Sequence, residues 1–527
     1  MLNRSGITLI ALAVTAGVLL WSGPADLLAQ TTQPATTQAA AVGHPMKYRI
    51  LWTWDSWICN PDSAASYVQE YKKLIDFMAQ WDYNGLIIWG FVDDRHGGVE
   101  AARDVASYGA RKGVRILPGI GAGGYEGYAI TPKGPYNLTS FLKEHPELRA
   151  IPRGTDKPSP EFLCLYQPAS VQWVRDGAKW LAENFEIGGV NIESNESGGI
   201  DNCPLAAEAT RQEPNRLKYA ASFSDMVQAV PPIYEEVKKK FPDAWITYAT
   251  YQPPWWDRKE DAWLLKKLPA DAIAQWNIEL APNNAKVPGP VKDNIALIHS
   301  GGWSYNLAPF PSRWAFTQYR CFYPSIAEVR KFSLNQLVAG VQGIVVGNVG
   351  SAEMPDNEIA YIAYLEFTRD PKMTVEAFSQ KIIGKLYGEK AEPLVRQLML
   401  AQPAVHQAAE PIWRPWAMLI SAGNRGNKLP VAAPKVIEKL KGQIERARAA
   451  HAVANESGQQ RLKTIIAVLE EYRIIAELSA NPELATLIGG IDKMTDAERK
   501  VEYKKIVEIL TSAGLPDGIY KYSKLAR

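Results

Sequence analysis

Residues 169–194 read ASVQWVRDGAKWLAENFEIGGVNIES, an amphipathic segment followed by a short apolar one. Apolar residues recur in the first part at intervals of three and four, which predicts a helix that ends at Phe185. The run GGVNIES, which begins at Gly188, has the length and the β-branched residues of a buried strand. This helix-then-strand unit is repeated on both sides of the quoted stretch, so it decides the fold class.

Upstream of this unit, KYRILWTWD, YNGLIIWGF and VRILPGIG predict three strands, separated by helices over 63–81 and 99–113. Downstream, AWITYATYQPP, AIAQWNIE, NIALIHSGG and VQGIVVGNVG predict four more strands. A helix over 224–241 is predicted to break at Pro231 and Pro232. Eight alternating units over 47–370 predict a (β/α)8 TIM barrel, class α/β. A doubly wound sheet is the alternative, but no glycine fingerprint follows the first strand.

Beyond Asp370 the strand pattern stops. Four segments with helical periodicity follow, and the last two, KVIEKLKGQIERARAAHAV and QQRLKTIIAVLEEYRIIAEL, are long and amphipathic. We therefore expect an all-helical C-terminal domain over 371–527, in which these two helices pair as a hairpin packed near the barrel.

The N-terminal 29 residues predict a secretory signal peptide. An arginine near the start precedes an apolar stretch from Ile7 to Trp21, and Ala29 is a small residue at the predicted cleavage point. The alternative is a membrane anchor, but this stretch is shorter than the ~20 residues of a spanning helix. Residues 30–46, rich in Thr, Ala and Pro, predict a disordered linker. We expect a secreted or periplasmic protein with no membrane contact once the signal is removed.

Composition limits the partners. The chain has 527 residues and a formal net charge of +2, without a basic block, so nucleic acid is not predicted as a partner. Only six histidines are present, with none paired at ligand spacing near a strand end, so we predict no metal and no cofactor. Four cysteines (Cys59, Cys164, Cys203 and Cys321) allow three full pairings or free buried thiols, and the sequence does not choose among them. It also leaves the oligomeric state open.

Polar and aromatic residues gather where the predicted strands end. Active sites of such barrels lie at the carboxyl ends of the strands. Trp and Tyr rings stack on sugar faces while carboxylates, amides and imidazoles bond the hydroxyls, so these ends predict a carbohydrate site. The candidate binding residues are Trp54, Asp55, Trp89, Asp93, Asp94, Arg95, His96, Asn191, Tyr251, Trp255, Trp276, Asn277, His299 and Trp303.

Three glutamates are the catalytic candidates. Side chains alternate along a strand, so Asn191 and Glu193 share one face, and Asn277 and Glu279 share another. Glycoside cleavage uses one acid on the leaving oxygen and a second carboxylate as nucleophile or base. Glu193 is the predicted acid, since aromatic surroundings favour its protonated form, and Glu279 the predicted nucleophile or base. Glu196, further along the loop, is the rival acid.

Three aspartates are held in reserve, and two basic residues have open roles. Asp55, Asp93 and Asp94 follow strand ends and are predicted either to bind sugar hydroxyls or to take the second catalytic place. Arg95 and His96 are predicted either to bind an acidic sugar or to anchor their own loop through hydrogen bonds.

At this point the chain resembles TIM-barrel glycoside hydrolases with a helical C-terminal domain. GGVNIES resembles the fourth-strand region where a catalytic acid ends the strand, and residues 358–389 resemble the barrel-to-helix passage of α-glucuronidase-like and hexosaminidase-like glycosidases. The α-glucuronidase resemblance implies that Glu193 is the acid and that a later-strand carboxylate such as Glu279 is the base. HSGGWS, after the seventh predicted strand, lacks the nucleophilic glutamate of the large retaining clan, and the fourth strand lacks the adjacent acidic pair of hexosaminidases.

We therefore expect a glycoside hydrolase that acts on a polysaccharide or its oligosaccharides. A non-catalytic carbohydrate-binding barrel and a polysaccharide lyase remain open as alternatives. A metal-dependent hydrolase is disfavoured by the histidine pattern.

Overall fold

The computed structural model describes residues 44–54, 64–193, 201–212, 225–249, 266–277, 293–299, 326–347, 349, 355–405, 408, 431–490 and 494–514. The predicted signal peptide lies outside these residues, as does nearly all of the predicted linker, so both stay predictions. The predicted boundary near residue 370, between a barrel domain and a helical C-terminal domain, also stays a prediction.

Eight parallel strands close into a barrel in the order of the sequence, which confirms the predicted (β/α)8 fold. Each strand pairs with its two neighbours in the chain, and β8 returns to pair with β1. The strands are β1 Tyr48–Trp54, β2 Gly85–Trp89, β3 Arg115–Gly121, β4 Gly189–Glu193, β5 Trp245–Ala249, β6 Ile273–Asn277, β7 Asp293–His299 and β8 Gly343–Gly347.

Helices fill the connections and the C-terminal region of the described chain. Their bounds are α1 Ala64–Gln80, α2 Gly98–Arg111, α3 Leu138–Glu144, α4 Pro168–Asn184, α5 Pro204–Gln212, α6 Met226–Lys240, α7 Ile326–Ala339, α8 Pro355–Arg369, α9 Val375–Phe378, α10 Gly384–Tyr387, α11 392–405, α12 Pro434–Val453, α13 Glu456–Leu478, α14 Pro482–Gly490 and α15 Asp496–Ser512. A π-helical turn, Ser379–Ile383, joins α9 to α10, and short 3₁₀ turns cover Asp94–His96 and Pro146–Leu148.

The strands form where the sequence is apolar on both faces. Every residue of β2 (GLIIW) and of β8 (GIVVG) is buried, as expected for parallel strands between a filled barrel interior and a surrounding layer of helices. Helix α1 buries Tyr67, Tyr71 and Leu74 against this sheet, on the face that the 3.6-residue period predicts.

Helix α6 corrects one prediction. Pro231 and Pro232 lie inside a continuous helix, so the predicted break at these residues is wrong. A proline removes one helical hydrogen bond and crowds the preceding turn. Ala229, Val230 and Ile233 on either side are fully buried, and we attribute the continuity of the helix to the packing of that face.

The C-terminal helices α12 and α13 pack as the predicted hairpin, joined by Ala454 and Asn455. Helix α13 also reaches the barrel's last helix: Arg461 Nε and Nη2 each donate to one carboxylate oxygen of Glu358 in α8, both at 2.7 Å. This two-pronged pair is the strong form of an Arg–carboxylate contact. The helical region is therefore fastened to the barrel behind β8.

No helix within the described part of the chain is both long and apolar enough to cross a membrane.

Candidate active site

The carboxylate of Glu193 ends β4 inside the barrel mouth. Its side chain is 2% exposed, and Oε1 accepts a hydrogen bond from the indole Nε1 of Trp52 at 3.2 Å, across the barrel from β1. Its partners in the neighbouring strands are Gly121 and Ala249, which carry almost no side chain. The acid that the sequence selects is thus held at a strand end with small neighbours on both sides.

One layer below, Asn191 joins four strands. Its Oδ1 accepts from the indole Nε1 of Trp89 at 3.2 Å, while its Nδ2 donates to Thr247 Oγ1 at 2.8 Å and to Gln275 Oε1 at 3.0 Å. All four side chains are buried. Buried polar groups linked in this way fix one arrangement, because breaking any bond leaves an unsatisfied group in the interior. Asn191 and Glu193 therefore share the inner face, as strand alternation predicts.

Gln275 keeps one donor unused. Its Nε2 is buried and has no hydrogen-bond partner within the described residues, while its Oε1 accepts from Asn191. An unsatisfied buried amide is costly, and such groups are uncommon in folded proteins. A donor in this layer can serve a ligand or a water that enters from the rim.

Aromatic rings form a row along one side of the mouth. The ring centroids of Trp52 and Trp54 are 6.3 Å apart, those of Trp54 and Trp89 are 5.3 Å apart, and those of Trp89 and Tyr125 are 5.6 Å apart. Trp52 and Trp89 are buried, whereas Trp54 and Tyr125 keep part of their surface in solvent. We call these four residues the aromatic row.

The backbone beside the aromatic row is built to accommodate it. A Cβ atom on Gly119 would lie 2.5 Å from the ring of Trp89, so this position needs glycine for the ring to cross β3. Tyr125 has a positive φ of 49°, and Glu126 follows with a φ of 63°. Left-handed conformations in two successive non-glycine residues are strained, and strain of this kind concentrates at functional sites.

The loop after β2 is braced by its own residues. The buried carboxylate of Asp93 accepts from the backbone N–H of Arg95 at 2.8 Å and is ion-paired with its guanidinium. His96 is fully buried and stacks on Tyr67 with centroids 3.8 Å apart, and its Nε2 lies 2.8 Å from Gly90 O. Burial lowers the pKa of His96, which keeps the ring neutral. Arg95 and His96 thus anchor their own loop, which is one of the two roles predicted for them. The Asp94 side chain is exposed.

Several candidates cannot be placed. Trp276, Asn277 and His299 are described by their backbone alone, at the ends of β6 and β7. The remaining candidates lie outside the described residues and stay predictions: Asp55, Glu196, Tyr251, Trp255, Glu279 and Trp303.

Sequence reasoning did not select Trp52, Tyr125, Thr247 or Gln275. Strand alternation could have indicated Trp52, Thr247 and Gln275. Each lies an even number of residues from another inward-facing position of its strand. Tyr125 follows the glycine-rich end of β3, and no pattern indicated that its ring would join the aromatic row.

The sequence matches no protein-family model and no curated protein. Solved structures with a similar fold include a β-N-acetylhexosaminidase from Bacteroides fragilis, at 15% identity and a TM-score of 0.42 over 65% of this chain and 70% of that one. A GH20 exo-β-N-acetylglucosaminidase from Vibrio harveyi gives 14% and 0.39 over 65% of this chain and 57% of that one. The PgaB (BpsB) glycoside hydrolase domain from Bordetella bronchiseptica gives 13% and 0.41 over 60% and 98%. At such identities the chemistry has to be argued from the site.

Proposed function

We propose that this protein is a glycoside hydrolase that cleaves glycosidic bonds of a polysaccharide or of oligosaccharides derived from one. The observation that supports this most is the buried carboxylate of Glu193, which lies at the carboxyl end of β4 and accepts the indole N–H of Trp52. Catalytic groups of (β/α)8 enzymes lie at these strand ends.

Glu193 is the proposed general acid. The acid must hold a proton until the glycosidic oxygen takes it, and burial at the strand end shields this carboxyl group from bulk water. The second group is proposed to be Glu279, two residues beyond the end of β6, as nucleophile or as base for a water. Glu196 is the rival for the acid role.

The aromatic row is the proposed platform for the sugar. Trp54 and Tyr125 offer partly exposed ring faces near Glu193, and carbohydrate C–H faces pack on such surfaces. The Gln275 amide nitrogen, which has no hydrogen-bond partner among the described residues, supplies a donor one layer deeper.

The test is a screen of aryl glycosides and of plant and algal polysaccharides with the wild type and with Glu193→Gln, Glu196→Gln and Glu279→Gln. We expect Glu193→Gln to lower kcat/KM by about 10²–10⁴-fold on natural linkages, and by less on aryl glycosides whose leaving groups need no proton. Glu279→Gln should lower kcat/KM on natural linkages and on aryl glycosides alike. The matched control is Glu186→Gln, an exposed glutamate just before β4 at the opposite end of the barrel, which should turn over like the wild type.

Other outcomes select other functions. Equal turnover in all variants would remove these glutamates from the mechanism. Binding of an oligosaccharide without turnover in any variant would favour a non-catalytic binding barrel. Products with an unsaturated uronic acid at the new end would show β-elimination and favour the lyase.

We also propose that the protein is exported, secreted or periplasmic, because residues 1–29 have the pattern of a signal peptide. N-terminal sequencing of the exported protein should begin at Gln30. A mature chain that still begins at Met1 in the membrane fraction would support the anchor instead.

A further inference from the structure

A small apolar cluster lies apart from the main core. It consists of the buried residues Ala150, Cys164, Cys203 and Ala206, and we call it the cysteine cluster. Ala150 and Cys164 belong to the segment between α3 and α4, after β3, while Cys203 and Ala206 belong to the start of α5, after β4. Ile151, Phe162 and Tyr166 are partly buried against this cluster.

The backbone of the cluster is fixed on both sides. Cys164 N donates to Leu148 O at 2.8 Å, within a short antiparallel contact of the β3–α4 segment. Asp201 Oδ1 accepts from Ile151 N at 3.0 Å and from Cys203 N at 2.9 Å. The two cysteines are therefore brought together by contacts that do not involve their sulfur atoms.

The sulfur atoms are 2.8 Å apart, and both cysteines are buried. With Asp201 they form a group of three possible metal ligands within 4.8 Å of one another. Two thiolates on a tetrahedral zinc, each about 2.3 Å from the ion, would be separated by about 3.8 Å. A disulfide needs about 2.05 Å. The observed separation is nearer to that of a bonded pair than to that of two zinc ligands.

We propose that Cys164 and Cys203 form a disulfide bond that fastens the segment after β3 to the segment after β4. The thiolate of one cysteine attacks an external disulfide and releases one thiol. The second cysteine then displaces the other half, so the protein loses two hydrogens and the external disulfide becomes two thiols. Because both cysteines are buried in the folded chain, this exchange takes place while the chain folds.

The bond has a consequence for the rim of the barrel. It closes a loop of 39 residues that contains all of β4, and Asp201 follows Glu193 by only eight residues. The bond therefore links the segments that follow two neighbouring strands, β3 and β4. The proposal does not depend on the glycosidase function, but it rests on the proposed export, because disulfides persist in oxidising compartments.

Peptide mapping tests the bond directly. The full chain, exported to an oxidising compartment or refolded with a reduced and oxidised glutathione couple, is alkylated under denaturing conditions and digested without reductant. We expect one linked pair of peptides that contain Cys164 and Cys203, and its loss after reduction. Full alkylation of both cysteines without reductant, or a link from either one to Cys59 or Cys321, would overturn the proposal. So would one bound zinc per chain with the two thiols blocked until chelation.

Thermal unfolding with and without dithiothreitol gives a second readout. Cross-linking a loop of this length should raise Tm by about 4–8 °C, so the wild type should lose that amount on reduction. The variant C164A/C203A should not respond to dithiothreitol, while the matched control C59A/C321A should respond like the wild type. A control that has lost the response would place the stabilising bond elsewhere and contradict the assignment. The mapping needs only the wild type, so it decides the matter even where a variant does not fold.

Discussion

The two ends of the barrel use the same kinds of side chain in opposite ways. At the lower end, the rings of Tyr48 and Trp245 meet edge to face with centroids 4.8 Å apart. The Tyr48 hydroxyl and the Lys47 ammonium both donate to Asp293, the latter at 2.6 Å. The guanidinium of Arg115 lies over Trp245, 5.0 Å from the ring centroid. Aromatic rings and a carboxylate close this end with the help of cations.

At the upper end, aromatic rings and a carboxylate meet through indole N–H groups. The indoles of Trp52 and Trp89 donate to Glu193 and Asn191. The comparison separates a lower end closed by ion pairs and ring contacts from an upper end where the proposed chemistry takes place, the division known for the fold.

Replacing one partly exposed tryptophan at each end of the barrel by alanine tests the comparison most strongly. Trp245→Ala should lower the free energy of unfolding by about 2–4 kcal/mol, because the ring packs against Gly85 and fills the space that a side chain there would take. The folded fraction should keep its kcat/KM. Trp54→Ala, at the rim, should lower the free energy of unfolding by less and raise KM. Urea unfolding and steady-state kinetics measure both quantities, and similar effects of the two variants on activity would break the comparison.

Removing one hydrogen-bond donor at each end of the barrel sharpens the comparison between the two ends. Trp52→Phe keeps a ring but removes the N–H from Glu193, and we expect kcat to fall by about one to two orders of magnitude, since hydrogen bonds to charged or reacting groups are worth about 1.5–3 kcal/mol. The matched variant is Tyr48→Phe, which removes the hydroxyl from Asp293 and should lower stability by about 1 kcal/mol with kcat unchanged. Equal losses of kcat in the two variants would contradict the assignment of Trp52.

The smallest expected effect is on the loss of stability at acidic pH. His44, just before β1, has its pKa lowered to about 4, chiefly by burial, and its Nε2 lies 3.2 Å from Leu365 O. The unfolded chain takes up this proton near pH 6.5, so the stabilisation from the neutral ring is present above pH 6.5 and is lost as the pH falls toward 4. His44→Gln should reduce the loss of unfolding free energy between pH 6.5 and pH 4 by on the order of 1 kcal/mol, after allowance for solvent screening. The exposed His145→Gln is the control, and an unchanged slope in His44→Gln would refute the assignment.

The fold could be predicted because it depends on local pattern. Eight alternating strand and helix patterns without a glycine fingerprint favour a barrel over a doubly wound sheet, and the buried face of α1 follows from its period. Pro231 and Pro232 misled because tertiary packing overrides a local helix breaker. Helix α5 is short and carries a single buried residue, Ala206, so its pattern offered little signal.

The site could be predicted only in part, because its contacts join distant strands. Alternation places Asn191 and Glu193 on the inner face, but the contact of Glu193 with Trp52 spans 141 residues and depends on the stagger of the strands around the barrel. The pairing of Cys164 with Cys203 depends likewise on how two loops meet. Spacing along the chain carries neither kind of information.

The pair between Arg461 and Glu358 bears on how this protein can be divided. Glu358 is nearly buried on the last barrel helix, and its bidentate partner comes from more than a hundred residues further along the chain. A shortened chain that ended at Asp370 would lose this ion pair together with the packing of α13 on α8. The barrel therefore relies on the helical region as an external brace, and residues 44–370 should be less stable when expressed alone.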